Sequence, residues 1–156
     1  MSVEKVRAFF REQNAEDKIK EFDVSSATVE LAAKALGTQE ARIAKSMSFL
    51  VDGKPVIIVT AGDMKIDNAK FKARFHTKAK MLTPDELVTL VGHAAGGVCP
   101  FALKAGCSVF LDVSLRRFDI VYPAAGSANS AVELTVPELE RFSGGEWLDV
   151  CKTKMQ

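Results

Sequence analysis

The sequence predicts one domain of the α/β (α+β) class, built on a mixed β-sheet. The 156 residues match the length of a single domain, and 47% are hydrophobic and 26% charged, as in ordinary globular proteins. Helical and strand patterns interleave without strict βαβ alternation, which favours a sheet with both parallel and antiparallel strands. Asp52-Gly53 between two apolar runs is a strong two-residue hairpin signal. We therefore expect a single domain over residues 1–156.

The first half of the chain is predicted to contain a β-hairpin among helices. An apolar face on residues 3–12 predicts an amphipathic helix. Ser25 or Ser26 is expected to cap a second helix, which runs through Leu36 and ends at Gly37. The other expected elements are an extended piece at 21–24, hairpin strands at 43–51 and 55–61, a basic helix at 67–75 and an extended piece at 78–82.

Two capping boxes mark helix starts in the second half. Thr83-Pro84-Asp85-Glu86 and Thr135 to Glu138 each place a glutamate three residues after a threonine, and they predict helices over 83–91 and 135–142. The glycine-rich stretch 92–100 is predicted to be a loop. Expected strands are 108–113, 119–123, 131–134 and 147–151.

Composition excludes several classes of function. No apolar run approaches the roughly 18 residues of a membrane span, and the N-terminus lacks a signal-peptide core, so we expect a cytoplasmic protein without membrane contact. The net charge of +1 is too small for a protein that coats DNA. Nucleotide-binding fingerprints are absent. The few cysteines and histidines show no zinc spacing, so no metal or cofactor is expected; they are Cys99, Cys107, Cys151, His76 and His93.

Lys45 is the single charged residue on one face of the first hairpin strand. Side chains alternate faces along a strand, and this face is predicted to be the core face. Three interpretations remain open: the ammonium snorkels to solvent, it guards a sheet edge, or it points into a polar pocket and acts on a ligand. The faces are Ile43, Lys45, Met47, Phe49 and Val51 on one side, and Ala44, Ser46, Ser48, Leu50 and Asp52 on the other.

The loop from Gly96 to Pro100 is the second candidate feature. Adjacent glycines, Gly96 and Gly97, allow positive φ and close approach of a ligand, and successive N–H groups can form an anion-binding nest. A tight helix-to-strand connection explains the same residues. Cys99 invites a nucleophile hypothesis, but nothing orients His93 toward it as a base. We therefore expect Cys99 to be a small pocket wall and His93 a loop anchor or pocket-edge residue.

Four segments together resemble the YbaK/ProX family of trans-editing aminoacyl-tRNA deacylases. A similar domain occurs as an insertion in bacterial prolyl-tRNA synthetases, which makes that synthetase a candidate partner. The likeness extends from the first helix to the last strand. The segments are Ile43-Ala44-Lys45-Ser46-Met47, Thr60-Ala61-Gly62-Asp63, Gly96-Gly97-Val98-Cys99-Pro100-Phe101 and Ala125-Gly126-Ser127.

The resemblance implies a mixed, partly closed sheet surrounded by helices, and a metal-free ester hydrolysis on aminoacyl-tRNA, typically tRNA for proline. The family's lysine falls on Lys45, and its G-x-x-x-P loop falls on Gly96 to Pro100. Loop N–H groups, at Gly96 and Gly97 among others, would stabilise the oxyanion, and Lys45 would act as a protonated anchor. The expected substrate-binding residues are Ser46, Met47, His93, Val98, Cys99, Pro100, Phe101 and Ser127.

The amino acid removed stays open at this stage. A pocket edged by Met47, Val98, Cys99 and Phe101 suits a small side chain, which leaves alanine, 2-aminobutyrate, cysteine, serine and threonine. Ser46 stands where some relatives have threonine or asparagine, and Ala131 where some have aspartate. These departures leave the subgroup undecided.

A basic stretch between Ala61 and Lys80 is the expected tRNA contact. Asp63 and Asp67 are its only acidic residues. A solvated helix face would carry the same pattern. The predicted contact residues are Lys65, Lys70, Lys72, Arg74, Lys78 and Lys80.

Two other classes of function compete with the deacylase. A catalytically inactive module with this fold could bind tRNA or a synthetase, although an intact Lys45 and loop argue against it. A small redox protein using Cys99 or Cys107 is disfavoured because the cysteines are not paired in sequence.

Overall fold

The computed structural model describes residues 2–154; Met1 and residues 155–156, the ends of the predicted domain, lie outside this range. The helices are α1 (Ser2–Glu12), α2 (Val29–Leu36), α3 (Asn68–Phe75), α4 (Pro84–Glu86) and α5 (Val136–Ser143). The strands are β1 (Ile19–Glu21), β2 (Ile43–Val51), β3 (Lys54–Ala61), β4 (Met64–Ile66), β5 (Ser108–Asp112), β6 (Ile120–Pro123), β7 (Ser130–Val132), β8 (Leu134–Thr135), β9 (Glu146–Leu148) and β10 (Cys151–Thr153).

A curled, mixed six-stranded sheet carries the fold, in the order β8-β6-β2-β3-β5-β9. The β2–β3 and β6–β8 pairs are antiparallel, whereas β2–β6, β3–β5 and β5–β9 are parallel. Two small antiparallel pairs, β1–β7 and β4–β10, flank it. The predicted mixed sheet with surrounding helices is confirmed.

The β2–β3 hairpin forms because its turn residues adopt the left-handed conformation that a tight hairpin turn needs. Asp52 has φ of 52° and Gly53 has φ of 77°. The ladder then runs in register from Val51 opposite Lys54 to Ala44 opposite Ala61. The predicted hairpin is confirmed, with the second strand starting one residue earlier.

Both faces of β2 are covered, which corrects the prediction that only the Lys45 face is the core face. Ala44 belongs to the largest apolar core, with residues of α1, α5 and the chain around α4. Phe49 belongs to a second core on the opposite face, beneath Phe71 of α3. The sequence suggested one core face because Ser46 and Ser48 occupy the other face, and the structure places both beside a cavity.

Helix termini follow the chain's capping residues. Thr83 and Thr135 each form the predicted capping box with Glu86 and Glu138, respectively. The helix beginning at Pro84 widens into a π-helical turn, Leu87–Val91, whose last bond joins Gly92 N–H to Leu87 O at 2.9 Å. This turn carries Leu87 to the cavity wall.

Four predicted boundaries were wrong. The strand expected at 131–134 divides into β7 and β8, which pair with β1 and β6, respectively. The N-cap of α2 is Thr28, which accepts from Leu31 N–H, and not Ser25 or Ser26. Strand β1 lies at Ile19–Glu21, because it pairs with β7 at that register. The closing strand divides into β9 and β10, which join different sheets. Within the described range, no helix is long and apolar enough to cross a membrane.

Candidate functional site

The outer edge of β2 is interrupted. Along its inner edge β2 pairs with β3, but on the outer edge it pairs with β6 only at Ile43 and Ala44. Pairing resumes where Leu50 N–H donates to Lys80 O at 2.8 Å and Leu82 N–H donates to Ser48 O at 3.2 Å. Among the described strands, none pairs with residues 45–47 on this edge.

Ser46 turns its backbone polar groups into this gap. Successive residues of an antiparallel ladder alternate between the two edges, and Ser48 C=O and Leu50 N–H both point outward. Ser46 lies two residues before Ser48, so its N–H and C=O also point toward the outer edge. Its hydroxyl Oγ is buried and has no hydrogen-bond partner in the described part of the chain. The gap therefore offers a donor, a carbonyl acceptor and a hydroxyl.

A cavity of about 340 Å³ lies at this gap. Its volume falls at the small end of the range for small-molecule sites, and its walls are mainly apolar with a few polar groups. They come from β2, α2, the glycine loop and the β6–β7 region. The lining residues are Ser26, Ala27, Thr28, Val29, Ala32, Ile43, Ala44, Lys45, Ser46, Met47, Ser48, Met81, Leu87, Ala95, Gly96, Val98, Tyr122, Ala124, Ser130 and Ala131.

Lys45 lines this cavity and is half-buried. Its ammonium Nζ donates to Met64 O at 2.8 Å. Burial lowers the pKa of the Lys45 ammonium, and the positive charge of Lys154 lowers it further, while Cys151 and Asp63 act in the opposite direction. The snorkelling interpretation is disfavoured, because the ammonium bonds a backbone carbonyl instead of extending into solvent.

The glycine loop divides into a cavity-facing part and a packed part. Gly96, with φ of 88°, lines the cavity, and since it has no side chain its backbone forms that wall. Gly97 packs against the 126–127 backbone so closely that an added Cβ would lie 2.7 Å from Gly126 C and O. Its N–H donates to Ala94 O at 3.0 Å. Gly97 therefore holds the loop against its neighbour, and Gly96 presents backbone to the cavity.

His93 and Cys99 lie buried behind the loop. His93 Nε2 is 2.8 Å from Phe101 O, so the ring donates this hydrogen bond, and Nδ1 has no partner among the described residues. The same Nε2 lies 3.6 Å from Cys99 Sγ, which corrects the expectation that nothing orients His93 toward the thiol, but the proton that Nε2 donates to Phe101 O prevents this nitrogen from acting as the base. Burial lowers the pKa of the His93 imidazole and raises the pKa of Cys99 to about 12. The ring ties the two ends of the loop together in its neutral form. The thiol stays protonated at neutral pH, which argues against the nucleophile hypothesis.

The expected site residues fall into two layers. Lys45, Ser46, Met47, Gly96 and Val98 line the cavity. The remaining ones form a second layer outside the lining set: Gly97, His93, Cys99, Pro100, Phe101 and Ser127. Ser127 connects the layers, because its Oγ lies 2.6 Å from Ser130 Oγ and Ser130 lines the cavity.

Several lining residues were missed by the sequence analysis. Thr28, Met81, Tyr122 and Ser130 lie in four separate parts of the chain and carry no local motif. Only the return of β6 and β7 to the β2 edge brings Tyr122 and Ser130 there. Met81 is an apolar residue with 57% of its surface accessible, a property that its sequence context does not reveal.

The basic stretch separates into paired and unpaired cations. Lys70 Nζ lies 3.0 Å from Asp149 Oδ1, and Arg74 lies 3.5 Å from Glu146 Oε2. Lys65 lies opposite Lys152 in the β4–β10 ladder, and Lys80 is exposed. The other two lysines line a second cavity of about 420 Å³, called the basic groove; its residues are Asn68, Ala69, Lys72, Lys78 and Ala79.

No group of three metal-binding side chains occurs among the described residues. The first cavity is lined by the half-buried ammonium of Lys45, the loop backbone at Gly96, and the N–H, C=O and hydroxyl of Ser46. Such a set suits a small polar ligand that carries a carbonyl and an amine.

Known proteins share both the sequence and the fold. Residues 23–142 match the model of the aminoacyl-tRNA editing domain. The uncharacterized protein YwhH of Bacillus subtilis (strain 168) is 53% identical over 154 residues, which cover 97% of this chain and 98% of YwhH. A proline–tRNA ligase of Coprothermobacter proteolyticus is 31% identical over 110 residues, covering 70% of this chain but only 19% of the ligase.

Solved structures agree with this assignment. A protein proposed to be a trans-editing enzyme for prolyl tRNA synthetase superposes with a TM-score of 0.88 at 25% identity, covering 97% of each chain. The likeness thus includes the strands and loop that build the cavity. By its sequence and its fold, this chain belongs to the family of YbaK-like aminoacyl-tRNA editing domains.

Proposed function

We propose that this protein hydrolyses the ester bond of mischarged aminoacyl-tRNA as a free-standing editing factor. The proposed substrate is tRNA for proline carrying a small non-cognate amino acid such as alanine, cysteine or 2-aminobutyrate. The observation that carries the proposal is the convergence of Lys45, Gly96 and the unpaired edge of β2 on one cavity. Family membership and the ligase relatives support the choice of substrate class.

The size of the cavity supports a small aminoacyl group. Its volume of about 340 Å³ leaves room for a short side chain and part of the terminal ribose. Met47, Val98 and Ala131 contribute apolar wall around that space. A wall of this kind excludes larger side chains more readily than it rejects smaller ones.

The β2 edge supports recognition of the amino acid itself. The α-ammonium of an aminoacyl ester is a donor, and Ser46 offers its outward carbonyl and its unpartnered hydroxyl as acceptors. Pairing would satisfy the buried hydroxyl, which otherwise costs free energy. In this arrangement the ester carbonyl points toward the Gly96 side of the cavity.

The chemical step needs a water and stabilisation of the charge that develops. The water attacks the carbonyl carbon, the bond from that carbon to the ribose oxygen breaks, and the ribose oxygen takes up a proton. Backbone N–H at Gly96 stabilises the oxyanion, and such a donor typically contributes a factor of about 10²–10³ in rate. The Lys45 ammonium leaves Met64 O for the more negative oxygen of the reacting ester, since a charged acceptor is the stronger partner.

The test is release of amino acids from a panel of charged tRNAs. Alanine, cysteine, serine, threonine, 2-aminobutyrate and proline are each loaded, and release is followed for the protein, for Lys45→Ala and for Lys54→Ala. Lys54 is an exposed lysine at the hairpin turn, so it is the matched control. We expect release of a small non-cognate amino acid that Lys45→Ala abolishes and Lys54→Ala leaves intact. No release from any charged tRNA would leave a binding module as the better account.

A further inference from the structure

Residues 78–82, called segment 78–82, connect the wall of the cavity with the wall of the basic groove. The segment is attached to β2 by the Leu50–Lys80 and Ser48–Leu82 hydrogen bonds and by a bridge between Phe49 and Met81. Met81 lines the cavity, while Lys78 and Ala79 line the basic groove. Met81 and Lys78 are three residues apart, which is at most about 10 Å of chain.

From this continuity we propose that the single-stranded 3′ end of the RNA runs along segment 78–82, with its terminal base on Met81 and a backbone phosphate in the basic groove. The inference rests on the proposed function, because the ester in the cavity fixes where the strand begins. It assigns a binding site for the nucleic acid that is separate from the aminoacyl cavity.

Met81 has the properties of a base platform. Its side chain is 57% exposed although it is apolar, and it stands at the cavity wall on a segment fixed by hydrogen bonds. A thioether is polarisable and makes favourable contacts with aromatic rings. Single-strand binding sites combine such a stacking surface with a positively charged groove that follows the backbone, and the groove lies next along the wall.

The basic groove has cations that are free to bind a phosphate. Across residues 3–154, neither Lys72 of α3 nor Lys78 has an ion-pair partner. Lys70 and Arg74, the other two cations of α3, are paired with Asp149 and Glu146, respectively. Of these four cations, only Lys72 and Lys78 line the groove. A phosphate in the groove can therefore bind Lys72 and Lys78 without displacing a carboxylate partner.

The experiment measures binding of an uncharged acceptor-stem minihelix with a single-stranded 3′ end, by fluorescence anisotropy over a series of salt concentrations. Lys72→Glu with Lys78→Glu is expected to weaken binding at least about tenfold at low salt. The slope of log affinity against log salt should become shallower by about 0.7 for each single-strand phosphate that the variant no longer binds. Lys5→Glu with Lys54→Glu, two exposed lysines that line neither cavity, is the control with the same change of charge, and we expect it to change affinity by less than about threefold.

Two further variants test the platform. Met81→Ala should weaken binding of the same minihelix by about three- to tenfold, and Met81→Phe should restore it, since an aromatic ring stacks on any base. The affinity for a minihelix that lacks the single-stranded end should be the same for the parent, Met81→Ala and Met81→Phe. Urea unfolding shows whether each variant folds. If Lys72→Glu with Lys78→Glu does not fold, Lys72→Gln with Lys78→Gln takes its place.

Equal weakening by the two double variants would overturn the proposed path, because the effect would follow net charge and not the groove. An unchanged affinity with Met81→Ala would remove the platform. These outcomes are distinguishable from failure of the proposed function, because binding of the uncharged minihelix does not depend on hydrolysis. If the protein releases amino acids from charged tRNA but both double variants bind the minihelix equally, the proposed deacylase function stands and the proposed RNA path is wrong.

Discussion

The cavity and the basic groove use lysine in opposite ways. Lys45 is half-buried, its ammonium donates to one backbone carbonyl, and burial lowers its pKa. Lys72 and Lys78 are exposed and line the basic groove, and Lys78 precedes the cavity residue Met81 by three positions in the chain. A buried charge acts strongly over a few ångströms and is little screened by salt, whereas exposed charges act through a potential that salt weakens. On the proposed function, this difference assigns catalysis to the cavity and affinity for the RNA to the groove.

Removal of the buried ammonium is the largest expected effect. Lys45→Met keeps the apolar stem of the side chain and should lower the single-turnover rate of deacylation about 100-fold or more, as for removal of one transition-state donor. Affinity for tRNA should change little. The rate and the affinity are measured between about 50 and 200 mM salt, where binding to phosphates responds most visibly. If Lys45→Met instead lost affinity for tRNA and kept its deacylation rate, the cavity would serve binding, and the assignment of catalysis to Lys45 would be wrong.

A pH profile is expected to show the next effect. If the protonated form of Lys45 works, activity is present below its folded pKa, which burial lowers, and is lost as pH rises through it. The loss grows about tenfold per pH unit and begins below the usual lysine range. Because the folded pKa is lower than the unfolded one, this group makes folding more favourable as pH rises between the two.

Lys45→Arg is the control for that profile. A guanidinium stays protonated across the accessible range, so any activity it retains should lack the alkaline loss. A loss that persists in this variant would assign the titration to another group. A rate that instead rises with pH would favour Lys45 as a general base.

Close packing behind the cavity should give an intermediate effect on stability. Gly97→Ala places a Cβ 2.7 Å from the Gly126 backbone and should lower the free energy of unfolding by about 1–3 kcal/mol. Gly53→Ala is the comparison, because no atom lies within 4 Å of its added Cβ and only its φ of 77° is strained. That strain costs about 1–2 kcal/mol. Urea unfolding measures both, and activity should fall only with Gly97→Ala.

The smallest expected effect on catalysis comes from Cys99→Ala. Its thiol is fully buried and its pKa is raised to about 12, so no thiolate is available at neutral pH. We expect a deacylation rate within about threefold of the parent, since nucleophilic cysteines need thiolate character. A rate reduced about 100-fold with an unchanged unfolding free energy would restore the nucleophile hypothesis.

Local chemistry explains why much of the fold was predictable. The hairpin at Asp52-Gly53 and the capping boxes at Thr83 and Thr135 depend on residues within four positions of one another. Most errors occurred where partners are distant; the N-cap of α2, at Thr28 and not at Ser25 or Ser26, is the local exception. Strand β1 follows the register of β7, and the single closing strand divides because β9 and β10 pair with different neighbours.

The candidate site was partly predictable for the same reason. Lys45 and the Gly96 loop were visible as a charge on an apolar strand and as adjacent glycines. Their meeting at one site was implied only by the family resemblance, because in the fold it depends on β6 and segment 78–82 leaving a gap in the edge of β2. The basic stretch was visible as a run of charges, but its division into paired and unpaired cations depends on Asp149 and Glu146 from the far end of the chain.

Neighbouring residues encode the class of fold, the hairpin turn, the two capping boxes and the two features that resemble an editing family, so these could be predicted from the sequence. The tertiary structure alone decided which backbone faces the cavity, where the Lys45 ammonium rests and which lysines stay free for a ligand. Burial and pairing between distant residues set those properties, since the energy of a charge or a hydrogen-bonding group depends on what surrounds it.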